Sequence, residues 1–317
     1  MTPWRSTEAY PLSWRFFDAV EAVVARLWRP RFSRALPYML ILPAILITGL
    51  LVLGLIEIVD SSLRTLDTST FRLSEDLSLA NYRRALVEPL FRTITFRSLA
   101  GALIVTAVTL LLAFPYAYVM VRTRSGALRK ALLVTLFLPF FIGQVVRAYG
   151  WLIILGSNGI LNDALSAVGI GPFRLLYNYP AVLFGLVQYM LPFAVLMLAP
   201  AITAIPEEME SAAESLGANW MRSFIHVVLP LARPGLIGAG IVVFTLSLTD
   251  FAIPAILGGG SNDFIANAIY DQFFRTSDTG LGAALALLLV AIGSAAVGIV
   301  FALFGAGTLG LSRAGRP

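Results

Sequence analysis

An all-α membrane protein with six transmembrane helices is the fold class that this sequence predicts, on three observations. Hydrophobic residues make up 58% of the 317 and charged residues 13%, with a mean hydropathy of +0.83, whereas a soluble domain carries about a quarter charged residues. Six segments are long and apolar enough to cross a hydrocarbon core of about 30 Å, which takes roughly 20 residues of helix. The basic residues gather on alternate connections, the asymmetry that sets membrane orientation.

The same composition excludes several function classes. There is no cysteine, so no disulfide framework, thiolate metal site or catalytic thiol is expected. His226 is the only histidine, and transition-metal centres want several nitrogen or sulfur ligands, so no metal site is expected. The net charge of +5 rests on arginines, with Lys130 the lone lysine. In an apolar chain such charge reports anchoring and topology rather than nucleic-acid binding.

Residues 1–35 lack the basic start, apolar core and small-residue cleavage site of a signal peptide. Trp14, Phe17, Val20, Val24, Leu27 and Trp28 recur at helical spacing with Arg15, Asp18 and Arg26 between them. They predict a helix lying in the membrane interface; a disordered basic tail is the alternative. The expected spans are 36–60, 95–121, 130–156, 179–204, 231–257 and 281–309, so that 61–94 forms a long connection, 95–310 a core of five spans, and 311–317 a tail. Pro43, Pro115, Pro139, Pro192 and Pro254 fall inside spans, where membrane bundles tolerate proline kinks. Glycines and alanines crowd the last span from Gly282 to Gly298, which allows close helix contact.

Arg15, Arg26, Arg29, Arg31 and Arg34 precede the first span, Arg122, Arg124, Arg129 and Lys130 fill the second connection, and Arg313 and Arg316 follow the last span. With six crossings all lie on one side, which places both termini in the cytoplasm. The 61–94 connection also carries arginines, offset by Asp67, Glu75, Asp76 and Glu88.

The one long polar stretch between two apolar segments is 206–235. Pro206 suits a first helical position, and Glu207, Glu208 and Glu210 sit where the helix dipole favours negative charge. Ile205, Met209, Ala212, Ala213 and Leu216 form one apolar stripe. Gly217 ends this helix, and Asn219 caps a second one running to Pro230. Two short helices meeting at a glycine make a knob that a partner's groove accepts, although an ordinary loop has the same spacing.

The residues of that stretch carry a resemblance. Ala212-Ala213, Gly217, Val227 and Leu229-Pro230 resemble the Glu-Ala-Ala-x3-Gly-x9-Ile-x-Leu-Pro loop of the membrane permeases of ATP-binding-cassette (ABC) importers. Ser211 stands in place of the glutamate and Val227 in place of the isoleucine. LSLANYRRAL (77–86) resembles the short Asn-Tyr segment that precedes the second span in many such permeases, and VVRAYGWLIILGSNGILND (145–163) and LTDFAIPAILGGGSNDFIANAIYDQFF (248–274) resemble more narrowly the spermidine/putrescine branch of the type I importers. The resemblance implies a permease subunit of the type I fold in the bacterial inner membrane. Its coupling loop, here Glu207, Glu208, Glu210, Ser211, Ala212, Ala213, Glu214, Leu216, Gly217 and Ala218, would dock into a cleft of an ATPase dimer. It further implies a homologous second permease and a periplasmic binding protein that delivers solute. ATP and Mg would reside on the ATPase, with no cofactor bound by this chain.

Asp250 is the most informative single side chain, because a carboxylate in hydrocarbon costs several kcal/mol unless it faces a cavity or a partner. Two roles fit it: lining the path of a cationic amine, or a structural hydrogen bond to a neighbouring helix. Gln144, Tyr149, Trp151, Asn158, Gln188 and Phe251 are the other candidates for the path, since amides and aromatic rings suit an ammonium group. Tyr149 and Trp151 fit an interfacial aromatic belt equally well, and Arg147 and Glu57 read as outer-interface anchors.

No G-x-x-x-x-G-K-[ST] occurs, so Gly258-Gly259-Gly260 is not a phosphate loop and ATP hydrolysis falls to another chain. A membrane enzyme would need a cluster of acids, bases or metal ligands, and no catalytic group is expected. An ion-driven secondary transporter would show two related halves with corresponding broken helices, and it would leave the 206–235 loop without a purpose.

Overall fold

The computed structural model describes residues 30–67 and 69–304, together with Asp18. The interfacial helix expected around Trp14–Trp28, the tail at 311–317 and the orienting arginines Arg15, Arg26, Arg29, Arg313 and Arg316 lie outside the described residues. The chain divides into two compact units, Met1–Glu57 and Ile58–Pro317.

The first long helix, α1, runs Pro30–Ser62; its stretch Ile41–Ser62 is long and apolar enough to cross a membrane. Side chains such as Leu46 and Leu50 on it are exposed.

In the second unit the long connection is structured, and part of it is not helical. An antiparallel hairpin pairs β1 (Arg64–Asp67) with β2 (Arg72–Leu77). Its turn is held by the Asp67 carboxylate, which accepts from the Ser69 N–H (2.9 Å), the Ser69 hydroxyl (2.6 Å) and the Thr70 hydroxyl (3.0 Å). The short helix α2 (Ala80–Val87) follows. On it Asn81 is buried and donates to the carbonyls of Ser62 (3.1 Å) and Arg64 (2.8 Å), while the Tyr82 hydroxyl meets the Ser62 hydroxyl at 2.8 Å. The Asn-Tyr pair read from sequence is therefore a clamp on the start of the hairpin.

Three helices build the centre of this unit: α3 (Pro89–Arg122), α7 (Tyr179–Thr203) and α11 (Arg233–Leu248). Val105, Ala113 and Ala117 of α3 pack with Leu186, Met190, Ala194 and Leu198 of α7 and Val243 of α11, all fully buried. Small residues let the backbones approach. A second cluster gathers Phe91, Ile94 and Ala102 of α3 with Phe244, Ile265 and Leu281.

Two expected spans are broken. The third, expected as one helix over 130–156, consists of α4 (Gly126–Phe137), a 3₁₀ turn at Leu138–Phe141, and α5 (Gln144–Ile154). Its two arms are bent by 100°. Pro139 lacks the N–H that would continue the ladder, and Ile142 and Gly143 are not helical. A short helix, α6 (Ile160–Ala167), follows. The fifth, expected over 231–257, stops at Leu248; Thr249–Phe251 interrupt it, and a separate α12 covers Ala252–Gly258. On its other side α11 is bent by 70° from the Trp220–Leu231 segment, where Pro230 and Pro234 stand close together. The last helices are α13 (Ile265–Phe274) and α14 (Thr279–Phe304). Among the described residues four helices are thus long and apolar enough to span, or up to six spans if each bent pair counts as one.

Candidate functional site

The polar loop after α7 folds as a helical knob. Helix α8 covers Glu207–Ser215, with Pro206 as its extended N-cap rather than its first helical residue. Gly217 is left-handed at φ +88°. The Ala218 N–H donates to the Ala213 carbonyl (3.0 Å) and the Gly217 N–H to that of Glu214 (2.9 Å), the paired bonds of a glycine-terminated helix. The Asn219 side chain accepts from the Arg222 N–H at 2.9 Å and caps α9 (Trp220–Ser223). The second helix is not regular to Pro230: a π turn covers Phe224–Val228 before α10 (Leu229–Leu231).

The apolar stripe of α8 faces away from the protein. Ile205 is buried, but Met209 is 47% and Leu216 90% exposed, and Ala212 is exposed beside them. The side that meets the body is the polar one. The Glu210 carboxylate accepts from the Tyr118 hydroxyl (2.6 Å) and from Arg122 Nε (2.8 Å), and Arg122 Nη2 donates to the Ile205 carbonyl (2.7 Å). The Arg122 and Glu210 side chains are only 14% and 12% exposed. Glu207 approaches Arg122 at 3.9 Å while 67% exposed. Glu208, Glu214 and Ser211 stay at the surface, the Ser211 hydroxyl donating to the Glu207 carbonyl at 3.2 Å. Glu210, read from sequence with the docking residues, is thus turned inward.

A second polar cluster forms where two helices break. Asp250 is 8% exposed and lies between α11 and α12. Its Oδ2 accepts from the Gln144 side-chain amide at the start of α5, and its Oδ1 from the Ile253 N–H (2.9 Å), capping α12. Both carboxylate oxygens therefore have protein partners. Beside them, the Arg147 guanidinium stands 5.2 Å from the ring centre of Tyr189. Arg147 Nη2 donates to the Ile142 carbonyl (3.3 Å), whereas its Nε and Nη1 are buried with no hydrogen-bond partner among the described residues. Just past the 100° bend, two of its guanidinium nitrogens are thus covered by the protein. Its place one turn after Gln144 was a usable signal; the reading of 130–156 as straight hid it.

The other sequence candidates do not join this cluster. Tyr149 and Asn158 are exposed. Trp151 packs edge-on to Phe184 at 4.7 Å, and Phe251 lies against Tyr270 at 4.8 Å. Gln188 is half-buried next to Tyr189 on α7. At the hairpin end, Gly259 and Gly260 are left-handed (φ +60° and +76°) and turn the chain sharply. Burial, with repulsion from Asp271, pushes the nearby Asp263 carboxyl above the usual range. Among the described residues no group of three or more histidine, cysteine or acidic side chains is placed to hold a metal ion.

Long apolar helices, broken segments around buried polar groups and an exposed helical knob define the class of a multi-span membrane protein. Comparison with known proteins makes the class specific: residues 77–308 match the family described as "Binding-protein-dependent transport system inner membrane component", and the chain belongs to that family. The spermidine/putrescine transport system permease protein PotB of Escherichia coli K12 is 33% identical over 237 residues, covering 74% of this chain and 85% of its own length. PotB of Haemophilus influenzae is 33% identical over 250 residues, 78% of this chain and 84% of its own. The crystal structure of a bacterial ABC transporter involved in the import of the acidic polysaccharide alginate shares the fold, with a TM-score of 0.69 at 20% identity over 88% of this chain and 98% of that one. The chain is a multi-pass inner-membrane permease subunit of an ABC importer, a transport component rather than an enzyme.

Proposed function

We propose that this subunit, with a homologous second permease, encloses the path of a small amine solute, a polyamine or a related compound. A periplasmic binding protein delivers the solute, and a separate ATPase dimer, which holds the ATP and Mg, drives the cycle. Both termini and α8 then lie on the cytoplasmic side. The observation that carries this reading is the outward apolar face of α8, Met209, Ala212 and Leu216, on a helix fixed to the body from behind by Glu210. An exposed apolar patch on a rigid mount is what a partner's cleft needs. Closure of the ATPase dimer on ATP would draw two such helices together and rock the spans between inward-open and outward-open states. The polyamine class is supported by the PotB relatives and by Asp250 beside Gln144, where a carboxylate suits an ammonium group.

A second reading of the solute is favoured by Arg147. Its unpartnered Nε and Nη1 donors suit an amine that also carries an acceptor group, such as an amino-acid derivative, an opine or an amino-phosphonate. The test is solute-stimulated ATP hydrolysis by the reconstituted complex, run across polyamines and these zwitterionic amines. Stimulation by polyamines alone supports the first class, and stimulation by zwitterions alone the second. Transport driven by an ion gradient without any ATPase subunit would overturn both.

A further inference from the structure

Helix α3 touches both ends of the bundle. At one end Tyr118 and Arg122 hold Glu210 of α8, and Arg122 also holds the Ile205 carbonyl. The same end grips the second half of the knob: Tyr118 meets Phe224 edge-on at 5.0 Å, Trp220 stacks on Phe224 at 5.5 Å, and Phe114 lies 5.2 Å from Phe224. At the other end the Arg97 guanidinium donates to the Ser261 carbonyl (2.8 Å), and the Ile265 N–H donates to the Ser98 hydroxyl (2.8 Å). Gly101 lets the fully buried Phe264 ring sit against the helix, for an added Cβ would lie 2.7 Å from its Cζ. Ser98 and Arg122 are separated by about 36 Å of helix at ~1.5 Å per residue.

The covalent links from α8 run to α7 through 204–206 and to α9 through 216–219, and none runs to α3. A displacement of α8 would reach α7 and the α9–α11 segment along the chain, and it would reach α3 only through noncovalent contacts. The charged contact at that point is largely withdrawn from water, both Glu210 oxygens are used, and the guanidinium is shared between the carboxylate and a backbone carbonyl. Such a charge-assisted joint is short and directional, so it transmits displacement in a way that the aromatic contacts alone would not.

We infer that α3 is the lever that carries motion of the docking helix to the segment Ser261–Phe274 at the opposite end, and that Arg122, Tyr118 and Glu210 are its positioning residues. This inference rests on the reading that α8 docks the ATPase. Glu210 then differs in role from its exposed neighbours Glu207, Glu208 and Glu214: it binds the lever and leaves the partner's cleft to the rest of the helix.

The experiment measures solute transported per ATP hydrolysed in proteoliposomes holding the second permease and the ATPase, with the binding protein supplied. It compares the wild type with Arg122→Met, Glu210→Gln, the double variant, and the milder Tyr118→Phe, which removes one hydroxyl donor. Each of the first two should lower the ratio on the order of tenfold, a usual size for coupling between two sites. The double variant should lose no more than either alone, because both remove the same joint. Tyr118→Phe should lower the same ratio by a smaller factor. Transport and hydrolysis that fall in step, leaving the ratio unchanged, would reduce the cluster to a structural role and overturn the lever, as would losses that multiply in the double variant. If the wild-type chain captures no ATPase subunit, the docking reading itself fails.

Discussion

Asp250 and Gln144, 106 residues apart in sequence, are hydrogen-bonded where two of the bundle's helices are interrupted. The contact ties the start of α5 to the break between α11 and α12, and the second Asp250 oxygen caps α12 through the Ile253 N–H. Asp250→Ala should destabilise the protein by about 1–3 kcal/mol, because it strands buried polar partners. Asp250→Asn keeps the shape, and a flipped Gln144 amide can still pair with it, so its effect on thermal unfolding should be well under that. If Asp250→Asn unfolds normally but transports an amine poorly, the charge acts on solute. If it transports normally, the residue is a joint.

Gly217 has open space where a Cβ would go, and its φ of +88° is the obstacle to a side chain. Left-handed backbone costs an ordinary residue roughly 1–2 kcal/mol, and asparagine less. Gly217→Val should therefore weaken capture of the ATPase subunit more than Gly217→Asn. Pull-down of that subunit at graded concentrations would read the order, and equal losses would point to a steric cause at the interface.

Leu216 is 90% exposed and touches little of its own chain. Leu216→Asp should leave thermal unfolding within ~0.5 kcal/mol of wild type, as for an ordinary surface change. Affinity for the ATPase should fall at least about tenfold if this residue anchors the docking face. Normal affinity in a normally folded variant would move the docking surface elsewhere.

Asn81 donates two hydrogen bonds from a buried amide to the Ser62 and Arg64 carbonyls. Asn81→Ala should cost about 1–3 kcal/mol. Asn81→Asp should cost more, since a carboxylate would face two carbonyl oxygens that can only accept. Limited proteolysis of the β1–β2 hairpin would report both, with the Asp variant cleaved fastest.

The apolar runs over α1, α3, α7 and α14 determined spanning helices by themselves, because length and hydropathy are local properties and about 20 predominantly apolar residues suffice to cross as a helix. Glu207, Gly217 and Asn219 likewise determined the start, stop and restart of the knob, since capping is settled within a turn of helix. What hydropathy averages over, it could not place: Pro139 and Gly143 lie in a run apolar enough to read as one span, so the 100° bend and the approach of Arg147 to Tyr189 are not legible there. The hairpin was equally hidden, its strands being four and six residues long with no strong alternation. Only the tertiary structure decided that the apolar stripe of α8 faces outward while Glu210 faces α3. The stripe fixes which residues share a face; the Arg122 and Tyr118 donors on α3 fix which face turns inward, because a buried guanidinium must find its carboxylate.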